Sequence, residues 1–229
     1  MRTSLSSLGF ALLSQTASPG ASFRQIPLDS TTPMELRGGR ALQLEYRGRK
    51  ALRLAPLEGH EHDTDQEIVA VLTETDFQDG VIAIDVAGAR RAGYATDNAS
   101  AFKGFVGLSF RVDGESAERF YLRTENARLD DQVFRNRSTQ YESDPDHPWN
   151  RLREEAPGLY ESYVDLEPGA WTHMRIEVSG EKARLYVNGA AQPCLVVNDL
   201  EHGTSRGRIA LWTRISSDAY FSDLRIEAR

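Results

Sequence analysis

With one cysteine, Cys194, among its 229 residues, the chain can close no intrachain disulfide, and its fold must rest on its core. That thiol lies in the apolar run from Pro193 to Val197, where free cysteine is commonly a small buried hydrophobe rather than a nucleophile, which would need an adjacent base. No apolar stretch is long enough to cross a bilayer as a helix. Net positive charge is also missing: the formal charge is −7 and the pI about 5.3. Nucleic acid is therefore not expected as the main partner, because neutralising phosphates needs a basic surface. A local basic cluster between Arg111 and Arg153 still leaves an acidic small ligand open. There is no Ser-His-Asp motif, phosphate-binding glycine loop or dinucleotide fingerprint. Helical periodicity is scarce as well, and only Asn150 to Ala156 suggests a short helix.

What is present is a series of short strand-like runs separated by turn residues. Arg40 to Tyr46 and Ala51 to Ala55 bracket Arg47-Gly48-Arg49-Lys50 as a hairpin, and Glu67 to Thr73 and Val81 to Ala87 follow. In the fourth run Ile82, Ile84 and Val86 share one face, with Val81, Ala83 and Asp85 on the other. After the central hairpin come Trp171 to Val178, Lys182 to Val187, Arg208 to Thr213 and Tyr220 to Ile226. This spacing predicts an all-β protein, a β-sandwich or barrel.

The centre of the pattern is Gly104 to Asn126, two strands joined at Asp113-Gly114, with Glu115 to Glu118 suggesting a loop longer than two residues. Strict alternation places Val106, Leu108, Phe110 and Val112 inward and sets Arg111, Arg119, Tyr121 and Arg123 together on the opposite face. Residues 127 to 168 break the rhythm. They are polar and irregular, yet they carry Tyr141, Tyr160, Tyr163, Trp149 and His147, too many aromatics for a disordered segment. An ordered excursion over one face of the sheet is expected, since a connection this long is usually functional.

Residues 1 to 23 read either as a secretory signal, with Arg2 ahead of a weakly apolar centre, or as a flexible amino terminus preceding a single domain from 24 to 229. The first reading implies a periplasmic or secreted protein, the second a cytoplasmic one. The sequence leaves the oligomeric state open.

The runs Gly169 to Val178 and Lys182 to Gly189 resemble paired strands of concanavalin A-like, laminin-G-type jelly rolls. They are most similar to the bacterial group described as 3-keto-disaccharide hydrolase domains. Phe77 to Val86, Gly207 to Trp212 and Ala219 to Ile226 resemble further strands of that group. The resemblance implies the antiparallel two-sheet form of the sandwich, a jelly roll with ligands held on a concave sheet or its rim loops. It also implies glycan binding or processing, although fold alone does not carry function. The Glu-x-Asp-x-x-Glu strand of laminarinase-type relatives is matched only by Glu161 to Glu167, with the first carboxylate two places early.

Three constellations follow. Arg111, Arg119, Tyr121 and Arg123, joined by Arg137, Tyr141, Trp149 and Asn150 from the excursion, form the candidate ligand site for a glycan or small polar ligand. Rings can lie under sugar faces and guanidinium forks can meet oxyanions. The competing account is a solvated surface in which these arginines pair with Glu115, Glu118, Glu125 and Asp130. His60-Glu61-His62-Asp63-x-Asp65 offers calcium at a rim loop through Asp63 and Asp65, with a solvated loop as the alternative. His147 and Asp85, with His173, are the acid–base candidates if they reach the same cleft. The leading expectation is carbohydrate recognition. The alternatives are an enzyme in the same cleft (a keto-glycoside hydrolase or lyase, or a non-sugar reaction) and a structural or interaction module.

Overall fold

The structure, a computed structural model, describes residues 23–63, 66–94 and 103–229. Its strands run in chain order β1 (Arg24–Ile26), β2 (Met34–Arg37), β3 (Arg40–Tyr46), β4 (Arg49–Ala55) and β5 (Glu67–Phe77). Next come β6 (Gly80–Arg90), β7 (Phe105–Asp113), β8 (Ser116–Arg123), β9 (Thr139–Asp144) and β10 (Glu161–Ser162). The last are β11 (Thr172–Ser179), β12 (Lys182–Val187), β13 (Leu195–Val197), β14 (Gly207–Arg214) and β15 (Ser217–Ala228). Two short helices, α1 (Gln132–Arg135) and α2 (Trp149–Glu155), follow β8 and β9 respectively.

All pairings are antiparallel and fall into two sheets. One has the order β13-β12-β11-β6-β15-β4-β3, with β1 added against β15, and the other has the order β10-β9-β8-β7-β14-β5-β2. This is a jelly-roll sandwich, one of the two architectures the strand spacing predicts and the one the family resemblance implies. From the eight-stranded sheet, Leu52, Leu54, Ile82, Ile84, Val86, Met174, Ile176 and Phe221 face inward. From the seven-stranded sheet Ile68, Leu72, Val106, Leu108, Phe110, Phe120, Leu122 and Leu211 meet them in one continuous core. Each such side chain contributes about 1.5–3 kcal/mol through burial. Cys194 packs at the margin of this core with its Sγ 3.4 Å from the Leu185 carbonyl, and burial pushes its thiol up to about 11, consistent with the structural role expected of it.

The β3–β4 connection is tighter than the expected Arg47 to Lys50: Tyr46 pairs with Arg49, and Arg47 and Gly48 both take positive φ (47° and 74°), the conformation a two-residue hairpin demands. The β7–β8 connection is also tighter than expected. Asp113 pairs with Ser116, so Gly114 and Glu115 alone form the loop.

The excursion from 127 to 168 is ordered, and part of it is sheet. Thr139, Tyr141 and Ser143 of β9 point inward while Gln140, Glu142 and Asp144 point outward, and β9 hydrogen-bonds to β8 on one side and β10 on the other. Its polar sequence hides the alternation because the inward positions carry hydroxyls. Thr139 finds the Ser162 carbonyl at 3.0 Å and Tyr141 finds Glu118 at 2.6 Å.

Arg111 departs from the expected face. The register of β7 against β8 shifts between Phe110 and Asp113, and against β14 it shifts over the same stretch. One extra residue on β7 makes a bulge, with Arg111 at φ 55°. The shift exchanges two side chains. Val112 joins Val71, Ala117 and Ala210 on the outer face, and Arg111 turns to the inner side with a fully buried side chain. There it donates to the carbonyls of Gln78 (2.9 Å), Gly180 (2.8 Å) and Gly203, and to Asp79 (3.2 Å), tying three turns at one end of the sandwich.

Candidate functional site

The outer face of the seven-stranded sheet is built mainly from alternate residues of β14, β7, β8 and β9. Phe105, Trp212 and Tyr121 form an aromatic cluster on it, with Trp212 4.7 Å from Tyr121 and edge-on to Phe105 at 6.1 Å between ring centroids. Gly107 leaves room for this packing, since a Cβ there would come within 2.4 Å of Tyr121. Against the cluster opens a pocket of about 340 Å³, lined also by Lys103, Arg123, Asn126, Phe134, Arg137, Glu142, Trp149, Arg153 and Arg214. The excursion supplies its wall. α2 places Trp149 at the rim, 37% exposed, with the Arg153 guanidinium 4.7 Å and that of Arg123 5.9 Å from its rings. The Trp149 amide donates to Glu142 Oε2 at 3.3 Å, fastening the start of α2 to the sheet.

Beneath the rings lies a charged cluster. Arg119 donates from Nε to Ser109 (2.9 Å) and pairs with Glu142, Asp144 and Glu67, while its guanidinium sits 4.7 Å from the Trp212 ring. Burial works against its charge, but the three carboxylates outweigh this and raise its pKa above the ordinary arginine value. For Asp144, burial dominates and pushes its carboxyl up to about 6 despite Arg119, with Glu142 and Glu67 adding to the rise. Tyr121 is raised chiefly by burial and stays a neutral phenol. Arg123 donates to the Tyr121 hydroxyl (2.9 Å), Gln140 Oε1 (3.1 Å) and the Arg137 carbonyl (3.0 Å). Lys103 lies 4.1 Å over the Phe134 ring, and its pKa is lowered by burial and then by the nearby charges of Arg123 and Arg137.

A test follows from Asp144. Its folded-state pKa lies above the ordinary 3.8, so its contribution to stability is fully present below about pH 4 and is lost as pH rises through about 6. Asp144→Asn should remove that loss, making the variant more stable than wild type at pH 7.5 by about 1–3 kcal/mol and nearly equal to it at pH 4. Urea midpoints at the two pH values measure this, and an Asn variant weaker at pH 7.5 would contradict it.

Of the residues singled out in the sequence, Arg119, Tyr121, Arg123, Arg137 and Trp149 gather on this face. Asn150 lies beside Trp149 on α2 but is exposed and outside the pocket lining. Tyr141 is a core residue, since β9 turns it inward to Glu118. His147 sits outside the pocket, 3.6 Å from Glu201, and its backbone bridges to Ser143. Asp85 is on the other sheet altogether. It is held on β6 between His173 Nδ1 (2.7 Å) and Arg49 (2.6 Å), so the expected meeting of Asp85, His173 and His147 in one cleft does not occur. Glu161 of β10 is engaged by Arg153 and Arg137.

Lys103, Phe105, Asn126, Phe134, Glu142, Arg153, Trp212 and Arg214 also line the pocket. Alternation along β14 could have found Trp212 and Arg214, and alternation along β9, once seen as a strand, Glu142. Phe134 and Arg153 lie on short helices whose placement no local period encodes. His60 Nδ1 is 2.8 Å from Asp63, and no group of three metal-ligating side chains forms among the described residues; Asp65, the other half of the calcium expectation, lies outside them. Residues 1–22 also lie outside, and with them the signal expectation.

The two-sheet topology is that of a concanavalin A-like jelly roll, the class the strand motifs resemble. Similar solved structures include the carbohydrate-binding module CBM66 from Bacillus subtilis, at 11% identity and TM-score 0.53 over 82% of this chain and 92% of that one. A Bacillus subtilis protein of unknown function with a galectin-like fold aligns at 12% identity and TM-score 0.53 over 86% and 90%. The metal-free exoplasmic/lumenal domain of VIP36 aligns at 7% identity and TM-score 0.53 over 89% and 88%. At such identities the likeness is one of fold. No family model matches the sequence, and no curated protein matches it.

Proposed function

We propose that the pocket against Trp212, Tyr121 and Trp149 binds carbohydrate. The observation that carries this reading is the coincidence of a half-exposed indole at the rim, an aromatic wall and guanidinium donors around one pocket. Sugar rings have apolar faces that pack on aromatic side chains and hydroxyl edges that planar polar groups can meet. The fold likeness to a carbohydrate-binding module supports the same reading. The exposed Trp149 is the cleanest test. Trp149→Ala should weaken binding to the best ligand on a glycan array by about tenfold, the worth of one stacking surface, with the urea midpoint little changed. Binding indifferent to Trp149 would remove the pocket from consideration.

An enzyme working on the same face is a second reading, favoured by one observation: Asp144, its carboxyl near pH 6, borders a groove with Arg119, Arg37 and Glu67. A carboxyl so tuned can act as a general acid. Product analysis on oxidised and unoxidised disaccharides with wild type and Asp144→Asn separates the readings; turnover that vanishes in the variant supports catalysis, and no turnover leaves the binding module.

A further inference from the structure

Resting on the carbohydrate reading, we propose that the pocket selects an acidic sugar, one whose carboxylate sits among Arg123, Lys103, Arg137 and Arg153. These four cations, with Arg214, which pairs with Glu67 at 3.6 Å, line one small space in a chain whose net charge is −7. Their counter-charges do not balance them. Arg137 and Arg153 share one carboxylate, that of Glu161, at 3.3 and 2.6 Å. Among the described residues Arg123, 5% exposed, donates only to neutral oxygens, those of Tyr121, Gln140 and the Arg137 backbone. Lys103, 8% exposed, has the Phe134 ring as its near partner and makes no ion pair among the described residues. The remaining acid of the lining, Glu142, is already engaged by Arg119.

Buried cations without a counter-ion are costly, because desolvation is not repaid by a nearby negative charge. An anion entering the pocket supplies what is missing. The depressed Lys103 pKa has the same origin, since burial and the repulsion of Arg123 and Arg137 oppose its charge and outweigh the attraction of Asp131. A carboxylate is the natural match, because its planar oxygens accept from guanidinium donors in parallel and from an ammonium at one edge.

Two further atoms point to a hydroxylated ring rather than a bare anion. Trp212 Nε1 and Asn126 Oδ1, in residues 1% exposed that line the same pocket, have no hydrogen-bond partner among the described residues. One is a donor and the other an acceptor, the pair a sugar hydroxyl can serve. The Phe105–Tyr121–Trp212 cluster gives the ring an apolar surface. A uronate-type sugar combines the three requirements of carboxylate, hydroxyls and apolar face.

The test is a binding panel of galacturonate, glucuronate, mannuronate and guluronate oligosaccharides, each beside its neutral methyl ester, with sulfated neutral oligosaccharides as a third arm. At least one uronate oligomer should bind about tenfold or more tighter than its ester. That preference should shrink as ionic strength rises from about 50 to 300 mM, and should fall about tenfold in Arg123→Gln. Because Arg123 is buried, Arg153→Gln, at the pocket edge, and Lys103→Met provide the same readout should the first variant misfold. Equal or tighter binding of the esters, lost in Trp149→Ala, overturns the acidic selectivity while leaving the carbohydrate reading in place. Preference for sulfated sugars alone overturns the carboxylate. Binding of no sugar, neutral or acidic, overturns both.

Discussion

Arg119→Met should lower the stability of the protein by about 3–5 kcal/mol at neutral pH, the loss typical when one member of a buried ionic cluster is removed and its partners stay behind. For a chain of this size that is a fall in Tm of about 6–20 °C. Methionine replaces the stem, so the cavity effect is small and the change isolates the guanidinium. What remains is three carboxylates whose nearest remaining cation is Arg214, 3.6 Å from Glu67. Glu142 has a side chain only 5% exposed, and Asp144 and Glu67 are 27% and 36% exposed. Ser109 also loses its donor, and the Trp212 ring its cation.

The loss should depend on pH with a definite sign. Without Arg119, Asp144 loses the charge that holds its carboxyl down while the repulsion of Glu142 and Glu67 stays, so its folded-state pKa rises further above that of the unfolded chain. Stability from such groups is fully present below about pH 4 and is lost as pH rises through their raised folded values. The variant should therefore recover part of its deficit when acidified from pH 7.5 to 5, while wild type, whose Arg119 keeps Glu142 and Glu67 paired, changes less. Urea titrations of both proteins at the two pH values measure it. A deficit under about 1 kcal/mol, or one constant with pH, would mean that water already screens this cluster.

Much of the fold was legible because its signal is local. In β6 and β8 period two separates inner from outer residues, and Ile82, Ile84, Val86, Phe120 and Leu122 are buried as the alternation requires. At β3–β4 the hairpin was legible from Arg47-Gly48, although Arg49 and Lys50 belong to the strand and not to the turn. Where the reading failed, the deciding interaction was long-range or the alternation was interrupted. Tyr141 reads as a surface aromatic in a polar segment, but β9 pairs with β8 and directs it to Glu118, 23 residues earlier. Asp85 and His173 do sit side by side, as cross-strand partners, but on the opposite sheet from the pocket, a fact set by the sheet order and by nothing within either strand. Tyr121 and Arg123 of the pocket followed from the alternation of β8, and Arg137 and Trp149 from the aromatic and basic excursion. The rest came from the placement of α1 and α2 and from the residues of β14, which hydrogen-bond to β7 from about a hundred positions away.

Arg111 is the sharpest of these differences, and it carries the second large effect. Alternation sets it beside Arg119, whereas one inserted residue sends it to the far end of the sandwich, where its donors hold the Gln78, Gly180 and Gly203 carbonyls and Asp79. Arg111→Ala should cost about 3–5 kcal/mol, because it leaves buried acceptors unpaired and opens a void the size of a guanidinium. The backbone offers an internal control. At φ 55° a side chain with a Cβ is strained, and glycine is not. Arg111→Gly should thus lose about 1 kcal/mol less than Arg111→Ala, although it removes more atoms. That ordering is opposite to what side-chain burial alone predicts, and urea denaturation of the two variants resolves it. Sugar binding by the folded fraction should be unchanged in both, since Arg111 points away from the pocket, in contrast to Arg123. If Ala proves the milder change, the bulge is not the conformation that places this arginine; if either variant loses sugar binding while folded, the end of the sandwich and the pocket are coupled.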